Sequence, residues 1–219
     1  MLEAMIRVLA PHYCLGCGAQ DTLLCDACRM GELRLVPSRC YACKKLTRGY
    51  AVCPSCRRHG PLKHIWASCE YTALPRELIH VFKFERARAG YLPIARQLVE
   101  SVPRLDAVVV PVPTATSHVR QRGYDHTVLI AKQFAREQNL PYQSMLWRLG
   151  QQRQVGAEKA VRLRQAASFF EIKPRQSLPD RVLLIDDVLT TGATLQAAAR
   201  CLRQAGVKEV NAAVFAHKQ

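Results

Sequence analysis

No stretch of the 219 residues stays apolar long enough to cross a bilayer as a helix, which excludes a helical integral membrane protein. No secretory leader is expected either, since the opening MLEAMIRVLA is too short and too interrupted by charge for one. The resulting expectation is a cytoplasmic protein with no membrane span. Acidic residues are scarce, with 17 Asp and Glu against 32 Lys and Arg, a formal charge of +15. The surplus is spread along the chain. Residues 1–60 carry nine Lys and Arg against four Asp and Glu, and residues 106–180 carry eleven against six. A solvated basic surface is the plain reading; a polyanionic partner or a phosphate-rich ligand is the sharper one.

Cysteine is abundant and ordered. Eight of the ten fall in four CxxC pairs within the first 56 residues: Cys14/Cys17, Cys25/Cys28, Cys40/Cys43 and Cys53/Cys56. Each CxxC turn aims two sulfurs at one ion, and two such turns complete a tetrahedral zinc site. Disulfides need an oxidising compartment, and a thioredoxin-like role needs one CxxC beside a βαβ pattern. Two structural zinc sites of four thiolates each are therefore expected. Zinc ions and thiolates together would lower the formal charge from +15 to about +11. Sequential pairing closes loops of seven residues (Cys17 to Cys25) and nine (Cys43 to Cys53). It costs less chain entropy than interleaved pairing and is the preferred arrangement. Residues 1–62 form this module, too short to build its own core, and residues 63–219 form the second unit. Cys69 and Cys201 stand apart, Cys201 expected as a buried small apolar residue in mid-helix.

The most informative run is VLLIDDVLTTGATL, Val182 to Leu195. A continuous apolar strand leads into Asp186 and Asp187, then into Thr190, Thr191, Gly192, Ala193 and Thr194. Leu195, Ala198, Ala199 and Leu202 then follow helical spacing, and Gly206 fits a helix stop. A helix N-terminus favours a phosphate, threonine hydroxyls add donors, and glycine lets the backbone come close. The two carboxylates sit where vicinal sugar hydroxyls or a divalent cation would lie. One loop can thus hold a ribose 5-phosphate. The run has no lysine, which excludes the P-loop pattern of nucleoside triphosphatases.

Between these regions, residues 65–71 alternate as a strand, and Pro75 opens a helix carrying Leu78, Ile79 and Phe82, with Lys83 at its end. A helix is expected over 91–101 and a buried strand over 107–112. A loop with Arg120, Arg122 and Gly123 then feeds a helix from about Asp125, its N-cap, to Gln138. Two arginines after an apolar strand suit a second anion site, through their bidentate guanidinium forks. Ordinary exposed loop charges are the alternative. From 147 to 170 the chain is basic, with Arg148, Arg153, Lys159, Arg162 and Arg164 flanked by Trp147, Phe169 and Phe170. This reads as a cover over the site or as a track for a single strand. The aromatics flank the basic residues without interleaving, so packing is their expected role.

Taken in order, the CxxC series, YTALPRELIHVFKF, VVVPVP…RQRGYDH, an R…Q…F element and VLLIDDVLTTGATL resemble the ComF/GntX family over nearly the whole chain. The last run alone is similar to the phosphoribosyl pyrophosphate (PRPP) motif of type I phosphoribosyltransferases. The resemblance implies an α/β fold: a double zinc ribbon followed by a type I phosphoribosyltransferase-like, mostly parallel sheet with flanking helices. It implies ribose hydroxyls or Mg2+ on Asp186 and Asp187, the 5-phosphate on Thr190 to Thr194, and pyrophosphate near Arg120, Arg122 and Gly123, with Lys83 matching a family lysine. It further implies DNA uptake or natural transformation. Single-stranded DNA, PRPP or another phosphorylated sugar, and competence or DNA-transport proteins would be the partners. The chain departs from the family in reading Arg122-Gly123-Tyr124-Asp125-His126 where R-G-[FY]-N-Q is usual, and in Gln165 replacing an asparagine. Asp125 would place a negative charge beside the pyrophosphate. An active Mg-dependent phosphoribosyltransferase is the alternative function, although no residue identifies its acceptor or a general base.

Overall fold

The computed structural model describes residues 12–85, 87–149, 169–174 and 177–218. Two short helices, α1 (Asp26–Glu32) and α2 (Pro54–Arg57), lie in the cysteine module. Then come β1 (Leu62–Glu70), α3 (Ala73–Phe84), a 3-10 turn at Arg88–Gly90, α4 (Tyr91–Ser101) and β2 (Val108–Pro111). They are followed by α5 (Thr116–Arg122), α6 (His126–Gln138), β3 (Leu146–Arg148) and β4 (Phe170–Ile172). The chain continues through β5 (Arg181–Leu189), α7 (Ala193–Ala205) and β6 (Glu209–His217).

β1, β6, β5 and β2 form a parallel sheet in that order, while β3 and β4 make a separate antiparallel pair. The strands are apolar on both faces because helices cover both. Side chains alternate across the sheet. Val109, Leu183, Ile185, Ala213 and Phe215 pack one way, against Phe82, Ile94, Leu98, Ile130 and Phe134. Val110, Leu184, Ala212 and Val214 pack the other way, against Leu195, Ala198, Ala199 and Leu202 of α7. That helical stripe is the one the sequence spacing indicates.

The cysteine module divides between these two cores. Cys14, Leu23, Leu24 and Leu33 join the α3–α4 side. Val36, Cys40 and Val52 join the α7 side. Buried Arg29 fastens the first half to α4: its Nη1 donates to Gln97 Oε1 at 3.0 Å and pairs with Glu100. The module's apolar side chains thus complete cores built by the sheet, as its small size requires.

One local expectation changes. The segment after β2, read as a loop, contains α5, closed by Gly123 in the left-handed region at φ 83°. With Val119 its only strongly apolar residue, TSHVRQR carries no helical periodicity to reveal it. Asp125 caps α6 as expected, accepting from Thr127 N at 3.1 Å.

Candidate functional site

The sulfurs of Cys14, Cys17, Cys25 and Cys28 lie within 4.8 Å of one another, as do those of Cys40, Cys43, Cys53 and Cys56. The pairing is sequential. Zn–S bonds of about 2.3 Å give a tetrahedron with sulfur–sulfur edges of about 3.8 Å. The Cys17–Cys25 and Cys43–Cys53 separations are 3.6 and 3.5 Å, so both donor sets fit zinc. The knuckles repeat each other: Gly18 N donates to Cys14 O and Lys44 N to Cys40 O, both at 2.8 Å. A Cβ on Gly16 would stand 2.7 Å from Cys28 Sγ, so only glycine fits that turn. Burial opposes ionisation of Cys14 and Cys40, but surrounding backbone amides outweigh it and bring both thiols down to about 6. Their partners Cys28 and Cys56 are pushed up to about 12, first by the neighbouring sulfurs of Cys17 and Cys53. Such crowding is what a shared cation relieves. Four sulfurs also leave no open position for chemistry.

The acidic pair sits near the carboxyl end of β5, where ligands bind in open parallel sheets. Adjacent strand residues face opposite ways, and the two carboxylates differ accordingly. Asp187 is buried and pairs with Lys83 Nζ from the last turn of α3, with His126 Nε2 2.9 Å from the same Oδ2. Both nitrogens thus converge on one buried carboxylate oxygen. Burial opposes ionisation of Asp187, yet His126 and Lys83 outweigh it and hold the carboxyl well below the usual range. Asp186 is less covered, and its Oδ1 accepts from Asp187 N at 2.9 Å. Burial, then the neighbouring Asp187 charge, push Asp186 up to about 8. The strand therefore offers one carboxylate held ionised by its partners and one whose ionisation burial and the neighbouring charge oppose.

His126 was not a sequence candidate, and it joins the two halves of the site. Its Nδ1 lies 3.0 Å from Arg122 Nη1. Guanidinium only donates, so Nδ1 is the acceptor and the ring carries its proton on Nε2, towards Asp187. Arg122 also covers the Phe84 ring at 5.1 Å, and its buried Nε has no partner. Lys83, Asp187, His126 and Arg122 thus form one chain of polar contacts. Arg120, two residues earlier on α5, stands exposed and outside it. The sequence signal for His126 was its place in the family's R-G-[FY]-N-Q element.

Asp125 is likewise different from expectation. Its carboxylate accepts from Thr114 N at 3.2 Å, Thr114 Oγ1 at 3.1 Å, Thr127 N at 3.1 Å and Thr127 Oγ1 at 2.7 Å. The charge is spent on capping α6 and holding the loop after β2. In the threonine loop, Thr190 and Thr191 are exposed and Gly192 is buried at φ 78°. Thr191 Oγ1 accepts from Ala193 N at 3.3 Å, and Thr194 lies in the first turn of α7.

Beyond the β2 loop, a cavity of about 560 Å³ is lined by Thr114, Trp147, Arg148 and Lys173 among others. Phe170 is buried and lies 5.8 Å under the Arg148 guanidinium. Trp147 and Phe169, expected to pack, are instead 44% and 61% exposed. Short three-residue strands bury only alternate side chains, and here Leu146 and Phe170 take the inward positions. Arg153, Lys159, Arg162, Arg164 and Gln165 lie outside the described residues. Away from the site, Cys69 donates to Phe215 O at 3.2 Å, and burial pushes its thiol up to about 12.

The family described as "Phosphoribosyl transferase domain" matches residues 125–219. Competence protein ComFC of Bacillus subtilis (strain 168) is 28% identical over 197 residues, covering 85% of this chain and 80% of that protein. Competence protein ComFC of Streptococcus pneumoniae (strain ATCC BAA-255 / R6) is 25% identical over 196 residues, covering 87% and 86%. Among solved structures, the glutamine PRPP amidotransferase from B. subtilis complexed with ADP and GMP aligns with TM-score 0.47 and 20% identity. It covers 63% of this chain, which spans 30% of that one. The protein is thus an α/β protein with a phosphoribosyl transferase domain on a parallel sheet, preceded by two four-cysteine clusters. More particularly, it is similar over most of its length to the ComFC competence proteins, as its resemblance to the ComF/GntX family implies. No helix among the described residues is long and apolar enough to cross a membrane.

Proposed function

We propose that this protein serves natural transformation, handling imported single-stranded DNA in the cytoplasm with a pocket for PRPP or a related ribose phosphate. The observation that carries the pocket is the split acidic pair at the end of β5, beside the threonine loop that opens α7. Asp186 would meet the ribose hydroxyls. Thr190, Thr191, Gly192, Ala193 and Thr194 would hold the 5-phosphate at the helix N-terminus. The diphosphate would lie towards Gly123, Arg122 and the loop after β2, with Arg120 reaching in from solvent. Two hard carboxylate oxygens together with ligand phosphates are a usual donor set for Mg2+. Magnesium would neutralise the diphosphate, while Lys83 keeps Asp187 ionised. The two zinc ions would be structural.

The exposed Trp147 and Phe169 favour the single-strand role. Trp147 lines one cavity with Arg148 and Lys173, a stacking face among cations of the kind that single-strand tracks use. Calorimetry with PRPP and Mg2+ tests the pocket. Asp186→Ala with Asp187→Ala should abolish binding and leave the zinc content intact; unchanged affinity would refute the pocket. Gel shifts test the DNA reading. Binding should weaken steeply with salt, and no binding at low salt refutes it. The matched phosphoribosyl transferase domain favours a second reading, in which a nucleophile displaces pyrophosphate at the anomeric carbon. Pyrophosphate release dependent on an added acceptor would support it.

A further inference from the structure

The second cysteine knuckle reaches the threonine loop. Tyr41 follows the buried ligand Cys40, and its ring lies flush against Gly192. A Cβ built on Gly192 would stand 2.9 Å from Tyr41 Cε2 and 3.0 Å from Cδ2. Gly192 is also left-handed, at φ 78°, and is the residue from which α7 starts. One residue thus separates a metal-ligand sulfur from the hinge of the phosphate loop. The same knuckle ends at Lys44, whose Nζ is 3.3 Å from His217 Nε2 at the end of β6. Lys218 N then donates to Leu189 O at 2.8 Å, just before the loop. Between these contacts lies a cavity of about 390 Å³ lined by Tyr41, Lys44, Leu189 and His217 among others. Side-chain packing therefore does not fill the joint, and its contacts concentrate in the Tyr41 ring and the Lys44–His217 pair. Among the described residues, the first cluster docks elsewhere, on the α3–α4 side through Leu23, Leu24 and Arg29.

We propose that Tyr41 is a positioning residue for the threonine loop, so that metal at the second cysteine cluster, and not at the first, sets the shape of the phosphate cradle. The Cys40 knuckle holds its turn when its sulfurs share an ion. Tyr41 then backs Gly192, which fixes where the first amides of α7 point. Loss of metal at that cluster releases the ring and lets the loop move. The link to phosphate rests on the ribose-phosphate reading above; the mechanical link does not.

Hydrogen exchange read on the amides of residues 190–194 separates the two, using the full zinc-loaded chain. Tyr41→Ala should keep its metal and accelerate exchange there at least tenfold, while Tyr41→Phe should match the parent. Cys43→Ser, at the second cluster, should accelerate the same amides, while Cys17→Ser, an equally exposed ligand of the first cluster, should leave them unchanged. Unaltered exchange in Tyr41→Ala, or equal effects from the two cysteine variants, overturns the proposal. Should Tyr41→Ala lose metal, the Tyr41→Leu variant decides by the same readout. Titration with PRPP and Mg2+ adds the ligand: Tyr41→Ala should bind at least tenfold more weakly and Tyr41→Phe normally. Faster exchange in Tyr41→Ala, in a protein whose parent form does not bind PRPP, upholds the positioning role and refutes the ribose-phosphate reading.

Discussion

Replacing Lys83 by Met removes the ammonium paired with buried Asp187. The Asp187 side chain is 7% exposed and that of Lys83 19%. What remains beside the carboxylate is His126, whose Nε2 lies 2.9 Å from the same oxygen and whose Nδ1 faces Arg122. Breaking a buried ion pair typically costs about 3–5 kcal/mol. Water can reach Lys83, so about 3 kcal/mol is expected at pH 7. The orphaned carboxylate has one escape, which is to take a proton. From an ordinary value near 4, that costs about 4 kcal/mol at pH 7 but only about 1.5 kcal/mol at pH 5. The loss in Lys83→Met should therefore be about twice as large at pH 7 as at pH 5. Adding Asp187→Asn should return about 2 kcal/mol at pH 7, because the two groups are coupled. Urea unfolding of the zinc-loaded protein at both pH values measures all of this. A loss under about 1 kcal/mol at pH 7, the same loss at both pH values, or additive single and double variants would refute the ion-pair reasoning.

Asp186 gives the opposite pH dependence. A carboxyl raised to about 8 in the folded state contributes stability below pH 4 that is lost as pH rises towards 8. Asp186→Asn should thus gain on the order of 2 kcal/mol relative to the parent between pH 5 and pH 8, allowing for its coupling to Asp187. Parallel melting curves for parent and variant across that range would exclude the assignment. Metal analysis should find two zinc ions per chain, and chelation should unfold the knuckles and lower the melting temperature; a stoichiometry of one or none refutes the four-sulfur sites. Trp147→Ala with Phe169→Ala should weaken single-stranded DNA binding about tenfold or more at fixed salt, at about 1–3 kcal/mol per stacked base. An unchanged gel shift would assign those rings another role.

The parallel sheet and its helices were legible because both write themselves in local patterns. VVV before Pro111 and VLLI before Asp186 are too apolar for a one-sided strand. Leu195, Ala198, Ala199 and Leu202 fall on one helical face. The cysteine pairs were legible because CxxC spacing is local chemistry, and sequential pairing follows from loop entropy. What escaped was set by tertiary contacts. Nothing local says that α5 is helical, since its seven residues have no periodic face. Nothing local says that Tyr41 meets Gly192 across about 150 residues of chain. Exposure of Trp147 also escaped, because a three-residue strand hides which alternate positions face inward.

The departure of Asp125 and His126 from the family's amide pair looked in sequence like a repulsive charge at an anion site, and the fold gives it another sense. Asp125 holds the β2 loop, its carboxylate accepting from Thr114 and Thr127. His126 then takes a place an amide could fill only in part. A neutral imidazole has one donor and one acceptor on opposite sides of a rigid ring. It can therefore face a guanidinium with one nitrogen and a carboxylate with the other, which fixes both the Arg122 head and its own tautomer. The acidic strand and the arginine helix are thereby coupled through one side chain. A ligand that draws Arg122 towards a diphosphate would also change the field on Asp187, so the anion and sugar sides of the pocket should respond together. His126→Gln can contact both partners but lacks the rigid ring, and its amide can rotate to offer either end. That substitution should leave stability within about 1 kcal/mol, the usual scale of one net hydrogen bond, and uncouple the two sides. With His126 in place, Arg122→Lys and Asp187→Asn should be non-additive in PRPP affinity; with Gln there, they should become additive.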